Sequence, residues 1–275
     1  MKLLFDFGFF EIYFFGAMVA LGGLAGILLT VWQARRKGLP PDKALDLTVW
    51  TLLGGIVGAR LGYILFYSPM YYVQNPLDIV MIQNGGLSIH GGILGGSLVA
   101  IYYIKRNKLP LWQFADILAP SLILGQAIGR IGCDVFGIPM EGVYPWGVWV
   151  GGTLVHPVQI YEVLLDYSLF AYLWLKRDRA KYQGQIFVHY LIGYALIRGA
   201  VEFLRTNPVI IDPFSVSHLL SLITIAAGFF LSLALKTRYP LPPVMQKKSG
   251  MVTTIVITAI GMILSVLLFF SVQGG

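Results

Sequence analysis

Four arginines lie inside or at the edge of strongly apolar stretches of this chain, where an ionised side chain is costly and usually marks a functional site. They are Arg60, Arg130, Arg198 and Arg205. Because the planar guanidinium donates paired hydrogen bonds to phosphate and carboxylate groups, such a set is suited to holding an anion. Any single arginine could instead reach the lipid headgroups or form a structural ion pair. Taken as a set, the four favour an anion-binding site.

One apolar stretch carries several polar side chains on a single helix face. Tyr194, Arg198, Glu202 and Arg205 follow one another at spacings of four, four and three residues, which in a helix places them on one side. A polar face on an otherwise apolar helix is expected to point into a bundle or a cavity. Glu202 is expected to pair with Arg198 or Arg205 and to hold them in place.

Two histidines precede apolar stretches, and the first is a candidate base. His90 opens one stretch, so we place it near a helix N-terminus, whose partial positive charge favours anions and a neutral imidazole. A neutral imidazole can accept a proton from a thiol or a hydroxyl, and the alternative is a structural hydrogen-bonding role. His156 comes directly before Pro157 and is expected to cap the next helix, with Tyr161 and Glu162 one turn later.

The elements that must position these residues are transmembrane helices. The 275-residue chain is 57% hydrophobic and only 12% charged, whereas soluble domains have about 25% charged residues, and its mean hydropathy is +0.74. Eight apolar windows have the roughly 18 to 22 residues needed to cross a hydrocarbon core about 30 Å thick. We therefore predict an all-α, polytopic transmembrane helical bundle of about eight spans, near 13–33, 47–67, 87–104, 112–132, 158–175, 185–204, 216–235 and 251–271. A short apolar piece at 78–83 and a break at 84–86 are expected to lie at the interface or to re-enter the membrane.

Lysine and arginine are concentrated in alternate connections between these windows. The connections after the first, third, fifth and seventh windows hold 15 of the 20 basic residues, while 67–83 and 134–157 hold none. By the positive-inside rule the basic connections are cytoplasmic, so the N-terminus lies outside and the four arginines lie toward the outer side. Because topology accounts for the net charge of +7, we expect no nucleic-acid partner. The basic residues at 35–37 follow the first window, the reverse of a cleaved signal peptide.

Glycines recur at helix-packing intervals in the second, third and fourth windows. Small residues four apart let transmembrane backbones approach closely. Such sets are Gly54/Gly58/Gly62, Gly91/Gly95, Gly92/Gly96 and Gly125/Gly129. This packing is expected to bring Arg60, His90 and Arg130 near one another.

The sequence contains no common cofactor or metal motif. It has no P-loop, zinc-ligand spacing, GxSxG elbow or dinucleotide fingerprint, so we expect neither a metal nor a cofactor. Cys133 is its only cysteine, which excludes an internal disulfide.

Six short motifs occur together in an order typical of one known family. They are GARLGY at 58–63, SIHGG at 88–92, GRIG at 129–132, HPVQIYE at 156–162, the stretch from Gly193-Tyr194 to Arg198, and VEFLR at 201–205. Over roughly residues 14–235 the chain resembles prolipoprotein diacylglyceryl transferase. The resemblance implies a multi-pass enzyme of a prokaryotic cytoplasmic membrane, among membrane lipids. Such an enzyme transfers a diacylglyceryl group from phosphatidylglycerol to the lipobox cysteine of a prolipoprotein signal peptide. It forms a thioether and releases glycerol phosphate at the outer leaflet.

The resemblance also implies roles for individual residues. Arg130 and Arg198 would be catalytic, holding the phosphate or its developing charge, and His90 matches the family's histidine, the candidate base. Because a thiol with an ordinary pKa near 8.5 needs only modest help to ionise, stabilising the leaving phosphate is expected to matter more than the base. The implied substrate-binding set is Arg60, Gly137, Tyr161, Glu162, Tyr194, Glu202 and Arg205.

Several positions depart from the family's pattern. Cys133 stands where asparagine is common, in a stretch at 133–137 that is shorter than usual, while Phe15 replaces an expected tyrosine and His218 an expected glutamine. The eighth window also exceeds the seven spans that the family implies. We therefore predict a divergent member, with a transferase-like transmembrane domain at 1–240 and a linker and additional C-terminal transmembrane helix at 241–275.

Two other functions remain open at the level of sequence. A non-catalytic homologue would bind lipid or present it to a partner, and a transporter of an anionic solute would use the arginines as a midplane binding site. The arginines lie toward one side of the membrane and the two halves of the chain show no repeat, which counts against a transporter.

Overall fold

The chain folds mostly as α-helices, in a computed structural model that describes residues 2–6, 11–82, 85–242 and 250–273. Nine helices form within these residues: α1 (Phe14–Arg36), α2 (Pro41–Tyr67), α3 (Pro69–Gln74), α4 (Ile89–Arg106), α5 (Leu111–Ile131), α6 (Val158–Lys176), α7 (Gln185–Glu202), α8 (Val216–Arg238) and α9 (Met251–Gln273). All except the short α3 coincide with the eight apolar windows; their ends agree within three residues, apart from the start of α2, which lies six residues before its window. The all-α architecture is therefore confirmed.

Five of these helices are long and apolar enough to cross a membrane, namely α1, α2, α5, α8 and α9. This agrees with a polytopic membrane protein. The other three long helices, α4, α6 and α7, fall outside that set, and α6 and α7 carry the acidic and basic side chains described below. The total of eight spans therefore stays a prediction.

The connection between α2 and α4 contains the predicted interfacial piece. Its described part includes a 3-10 turn (Pro76–Ile79). Leu77 in this turn and Val80, which follows the turn, are both 75% exposed. Such exposure of apolar side chains is consistent with contact with lipid. Gln83 and Asn84 of this piece and its break, and 243–249 of the predicted linker, lie outside the described residues.

In the described parts of the chain, three two-stranded antiparallel hairpins accompany the helices, and hydropathy did not predict them. They are β1 (Leu3–Asp6) with β2 (Glu11–Tyr13), β3 (Val148–Val150) with β4 (Thr153–Val155), and β5 (Val209–Ile211) with β6 (Phe214–Ser215). The β3–β4 turn consists of Gly151 and Gly152, whose φ angles are +55° and +81°. A two-residue type I′ hairpin turn needs positive φ at both positions, which glycine supplies without strain.

The chain divides into two compact units, and the smaller one is Leu29–Phe114. Its centre is the close packing of α2 against α4. A Cβ on Gly58 would lie 2.5 Å from the carbonyl oxygen of Gly91 and 2.8 Å from the Cα of Gly95, so only a hydrogen fits there. The predicted glycine contact between the second and third windows is confirmed. The expected proximity of Arg60 and His90 to Arg130 stays a prediction, because Arg130 belongs to the other unit.

The larger unit comprises Met1–Leu28 and Ala115–Gly275. One part of its core joins α1, α5, α6 and α9 through buried side chains that include Phe14, Ile131, Val163 and Phe269. At the opposite end of α5, the buried Asp116 carboxylate accepts hydrogen bonds from the backbone N–H groups of residues 184, 186 and 187 at 2.8, 2.9 and 3.1 Å. These are the free N–H groups at the start of α7, so Asp116 fixes α7 relative to α5.

Candidate anion site

Three arginines and two glutamates meet at one end of the helices of the larger unit. Arg130 lies in the last turn of α5, Glu162 in the second turn of α6, and Arg198 and Glu202 in the last two turns of α7. Because successive helices alternate in direction, this end lies opposite to the basic connection at 176–181. Three of the four arginines singled out in the sequence therefore meet in one cluster of side chains, and binding of an anion by this cluster stays a prediction.

Arg205 reaches the cluster by a different route from the one predicted. α7 ends at Glu202, so Arg205 is not on the helical face that the sequence spacing indicates. Its backbone instead pairs with Gly137 in an isolated antiparallel bridge. This bridge connects the segment after α5 to the end of α7 and carries the Arg205 side chain back to the glutamates.

Glu162 is the centre of the cluster. Arg130 Nε lies 2.7 Å from its Oε2, while Arg198 Nη1 and Arg205 Nη1 lie 3.3 and 3.6 Å from its Oε1. The Glu162 side chain is only 4% exposed, and a buried carboxylate is costly unless it is paired. In turn, the carboxylate allows three cations that would repel one another to stay close together. Glu162 thus determines where three guanidinium groups lie.

Glu202 is the second buried carboxylate, and it connects the cluster to the chain after α7. Arg198 Nη2 lies 2.8 Å and Arg205 Nε 3.8 Å from its Oε2, which confirms the pairing expected from the sequence. Asn207 Nδ2 donates to both carboxylate oxygens at 2.9 and 3.0 Å, and Ser215 Oγ donates to Oε1 at 2.6 Å. These neutral donors hold Glu202 in place without adding charge.

The cluster has an excess of positive charge. Its three arginines and two glutamates give a net charge of 3 − 2 = +1. The Arg130 and Arg198 side chains are 25% and 20% exposed, whereas the Glu202 side chain is 1% exposed. The cations are thus more accessible than the anions that hold them, which is the arrangement expected of a site that receives an anion.

A tyrosine and the single cysteine complete the surroundings of Arg130. The Tyr194 hydroxyl lies near the Arg130 guanidinium and interacts with it electrostatically. The Cys133 thiol lies beside the same guanidinium and donates weakly to the carbonyl of Gly129 at 3.8 Å. Burial raises the pKa of Cys133 by more than Arg130 lowers it, so the thiol stays neutral. Because the thiolate is the nucleophilic form, this environment argues against a nucleophilic role for Cys133.

The segment after Arg130 is closely packed. A Cβ on Gly137 would lie 2.6 Å from Val158 Cγ1, and the Gly137 N–H donates to the carbonyl of His156 at 2.8 Å. A Cβ on Gly132 would lie 2.8 Å from the Cα of Phe15, one of the positions that depart from the family's pattern. The backbone here approaches its neighbours too closely for larger residues. Substrate binding by Gly137 stays a prediction.

Tyr161 and His156 form a pair beside the cluster. His156 Nδ1 and the Tyr161 hydroxyl are 3.2 Å apart. The expectation that the His156 side chain caps α6 is wrong, because Pro157 occupies the N-cap position and no side chain caps that helix. His156 uses its imidazole on Tyr161 instead. A substrate contact by Tyr161 stays a prediction.

The structure shows how a histidine fits at position 218, where the family's pattern leads one to expect glutamine. His218 is the third residue of α8, and its Nδ1 accepts a hydrogen bond from the backbone N–H of the N-cap residue Ser215 at 3.1 Å. This is a capping box, a motif in which the third helical residue is usually glutamate or glutamine. The imidazole therefore performs the role of the expected glutamine. Since Ser215 Oγ also donates to Glu202, the start of α8 is coupled to the anion site.

Arg60 lies in the smaller unit, where backbone carbonyls surround it. Its Nε donates to the carbonyl of Ile79 at 3.0 Å, and its Nη1 donates to those of Gly85 and Gly86 at 2.5 and 3.0 Å. Its Nη2 donates to the carbonyls of residues 78 and 81. With 5% exposure, Arg60 holds the connection before α4. A substrate contact by Arg60 stays a prediction, and it requires the exchange of one of these carbonyls.

His90 also belongs to the smaller unit. It is exposed and is the second residue of α4, two positions after the N-cap Ser88, whose Oγ accepts from the Gly91 N–H at 3.4 Å. Its predicted place at a helix N-terminus is confirmed. A role as base stays a prediction.

Three polar residues near the cluster were missed at the sequence level. Ser217 Oγ accepts from Arg198 Nη2 at 3.3 Å, and Asn207 holds Glu202. Asp166 follows Glu162 by one turn of α6, is 1% exposed, and neither of its carboxylate oxygens has a hydrogen-bond partner among the described residues. An acidic residue inside an apolar window is as unusual as an arginine, so the rule that found the arginines could have found Asp166.

Within the described parts of the chain, no three histidine, cysteine or acidic side chains are placed to hold a metal ion. The positive cluster would also repel one.

Comparisons with known proteins all point to one family. The family model of prolipoprotein diacylglyceryl transferase matches residues 2–234. The chain is 34% identical to the phosphatidylglycerol–prolipoprotein diacylglyceryl transferase of Clostridioides difficile, over 79% of this chain and 88% of that protein. It is 36% identical to the protein of the same name from a Nostoc species, over 82% of this chain and 86% of that one. The corresponding figures for Finegoldia magna are 36%, 82% and 92%.

Proposed function

The chain belongs to the prolipoprotein diacylglyceryl transferase family, and we propose that it transfers the diacylglyceryl group of phosphatidylglycerol to the thiol of a lipobox cysteine in a prolipoprotein. The sulfur attacks the glyceryl carbon that carries the phosphate ester. A C–S bond forms, the C–O bond to the phosphate breaks, and glycerol phosphate leaves. The thiol proton passes to a base.

The observation that carries this proposal is the arrangement of three arginines around the buried Glu162. A phosphodiester bears one negative charge, which balances the net charge of +1 of the cluster. As the C–O bond breaks, the departing phosphate gains further negative charge. Guanidinium groups that are already in place stabilise this developing charge more than the ground state, which lowers the barrier.

Each member of the cluster has a distinct role in the proposal. Arg130 and Arg198, the more exposed cations, contact the phosphate. Arg205 adds positive charge behind them. Glu162 and Glu202 bind the sides of the guanidinium groups and orient their remaining N–H groups toward the substrate, so that no reorganisation is needed during the reaction.

His90 is proposed as the proton acceptor. The His90 imidazole is exposed in the first turn of α4, where a substrate thiol can reach it, and a neutral imidazole can accept a proton. Because a lipobox thiol needs only modest help to ionise, the base contributes less than the arginines. We therefore expect His90→Ala to retain more activity than Arg130→Ala, and raising the pH should restore His90→Ala but not Arg130→Ala.

The site is proposed to face the outer leaflet of a prokaryotic cytoplasmic membrane. The cluster lies at the helix ends remote from the basic connections, and basic connections stay on the cytoplasmic side. A reporter fused within 143–152 is then external, and one fused within 177–181 is cytoplasmic. The reverse result would overturn this orientation.

The test of the proposed function uses the purified full-length protein in phosphatidylglycerol vesicles with a lipobox peptide. We expect an increase in peptide mass by one diacylglyceryl group and an equal amount of glycerol phosphate. Arg130→Ala and Arg198→Ala should abolish both products. Arg238→Ala is the matched control, because Arg238 lies at the other end of α8, over the ring of Tyr239, and should retain full activity.

Two results would overturn the proposal. The first is a lack of transfer under conditions in which the Clostridioides difficile relative is active. Binding of phosphatidylglycerol without release of glycerol phosphate would then favour a non-catalytic lipid-binding homologue. The second is full activity of the Arg130 and Arg198 variants, which would remove the site from the reaction.

A further inference from the structure

α9 lies beyond the part of the chain that matches the family model, which ends at residue 234. It packs along α6, the helix that carries Glu162. Ser265 Oγ lies within hydrogen-bonding distance of the Tyr167 hydroxyl at 3.3 Å, and a Cβ on Gly261 would lie 3.2 Å from the Tyr167 ring. Phe269 is fully buried in the core that includes Val163. The added helix is thus an integral part of the larger unit.

The C-terminal end of α9 contacts the segment that follows Arg130. Gln273 Nε2 donates to Asp134 Oδ1 at 2.8 Å and lies 3.5 Å from the carbonyl oxygen of Gly132. One residue earlier, the carbonyl of Val272 accepts from Lys2 Nζ. Gln273 therefore contacts the segment that begins two residues after Arg130, and the hydrogen bond from Lys2 helps to fix this end of α9.

Other parts of the larger unit also contact this segment. Gln159 Nε2, from the first turn of α6, donates to the carbonyl of Cys133 at 3.2 Å. Gly137 pairs with Arg205 through the isolated bridge. Segment 132–137 is thus held by α6, by the chain just after α7, and by α9.

We propose that Gln273 is a positioning residue, which holds segment 132–137 and through it sets the geometry of Arg130. The catalytic consequence rests on the proposed function. Without Gln273, the segment loses its hydrogen bond to the end of α9, although its contacts with Gln159, Phe15 and Arg205 remain, and the turn that carries Arg130 gains freedom. Misplacing a group that stabilises a transition state lowers the rate of the chemical step more than it weakens substrate binding.

The kinetic test is Gln273→Ala in the full-length protein. We expect kcat per folded molecule to fall about tenfold, while KM for phosphatidylglycerol changes by less than about twofold, because Arg198 and Arg205 still attract the phosphate. Ser271→Ala is the matched control, since Ser271 lies in the same turn, is exposed, and bonds only to the Leu268 carbonyl of its own helix. It should leave both values unchanged.

A second readout does not depend on activity. Cys133, the only cysteine of the chain, lies inside the held segment, so its alkylation by a maleimide reports on this segment alone. We expect the alkylation rate to rise several-fold in Gln273→Ala and to stay at the wild-type value in Ser271→Ala. An unchanged alkylation rate in Gln273→Ala would overturn the inference. A fall in total activity that a smaller amount of folded protein fully explains would overturn it as well.

The hydrogen bond itself can be tested by exchanging donor and acceptor. Gln273→Glu places a carboxylate against Asp134 and should raise the alkylation rate at least as much as Gln273→Ala. Combining Gln273→Glu with Asp134→Asn restores one donor and one acceptor, and should return the rate to within about twofold of wild type. Failure of the combination to recover would contradict a direct contact. If the wild-type protein shows no transfer at all, the proposed function fails, and the alkylation rates still decide this inference.

Discussion

Replacing Glu162 by glutamine removes the charge that three arginines share while keeping the size of the side chain. Arg130, Arg198 and Arg205 lie 2.7, 3.3 and 3.6 Å from its oxygens. At an effective dielectric constant of about 20, the attraction at such distances is about 5 kcal/mol per pair, but most of it offsets the cost of desolvation. Removing one partner of a buried pair typically costs about 3–5 kcal/mol. Because the arginines remain 10–25% exposed, we expect the lower end, about 3 kcal/mol of the free energy of unfolding.

The same substitution should separate binding from catalysis. Its cluster has a net charge of +2 instead of +1, so KM for phosphatidylglycerol should stay constant or fall. The orientation of the three guanidinium groups is lost, so kcat should fall about 100-fold. The measurements are denaturant unfolding in detergent micelles and transfer kinetics per folded molecule. Glu141→Gln is the control, because Glu141 is exposed in the connection after α5. A Glu162→Gln protein within about 0.5 kcal/mol and threefold in kcat of wild type would refute the central role of Glu162.

Three further predictions concern single positions. Cys133→Ser should keep transfer activity within about threefold, and loss of transfer in this variant would indicate a direct role. In the wild-type protein, burial raises the pKa of the Cys133 thiol. Alkylation of Cys133 at pH 8 should therefore be slower than that of a free cysteine, and it should speed up as the pH rises further. His218→Gln should be nearly neutral, since glutamine also closes a capping box, while His218→Ala should cost about 1 kcal/mol in the free energy of unfolding; equal effects of the two variants would contradict the capping role. Gly58→Ala should destabilise the protein, because its Cβ would meet the backbone of Gly91 at 2.5 Å, whereas Gly23→Ala, with open space around it, should not. Thermal unfolding in detergent compares the two variants. Equal stability of the two would contradict the close packing of α2 and α4.

The positions of the helices could be predicted from the sequence because hydropathy is a local property. Eight windows of suitable length correspond to eight long helices, and only the start of α2 differs from its window by more than three residues. The glycine spacing also predicted the contact of Gly58 with Gly91, since small residues four apart lie on one helix face whatever surrounds them. The three short hairpins escaped prediction, because strands of two to four residues leave no periodic pattern in an apolar sequence.

The arginine cluster was only partly predictable. Arg198 and Glu202 are four residues apart on one helix, so their pairing follows from helical geometry. The sequence also grouped Arg60 with the other arginines. A count of charges cannot reveal that the Arg60 guanidinium donates hydrogen bonds to backbone carbonyls 18 to 26 residues away. Similarly, Arg205 joins the cluster from beyond the end of α7, through the bridge to Gly137.

By itself, then, the sequence determined that this is a helical membrane protein with a positively charged site at one end of its helices, and the order of its motifs pointed to the family. Those properties depend on composition, spacing and the cost of charge in lipid, all of which act locally. Only the tertiary structure decided that Glu162 is the residue on which the site is centred. Its partners come from α5, α7 and the segment after α7, and the pair with Arg198 spans 36 residues. A carboxylate acquires three cations only where the packing of separate helices excludes water and leaves it no other partner, and no short stretch of sequence contains that information.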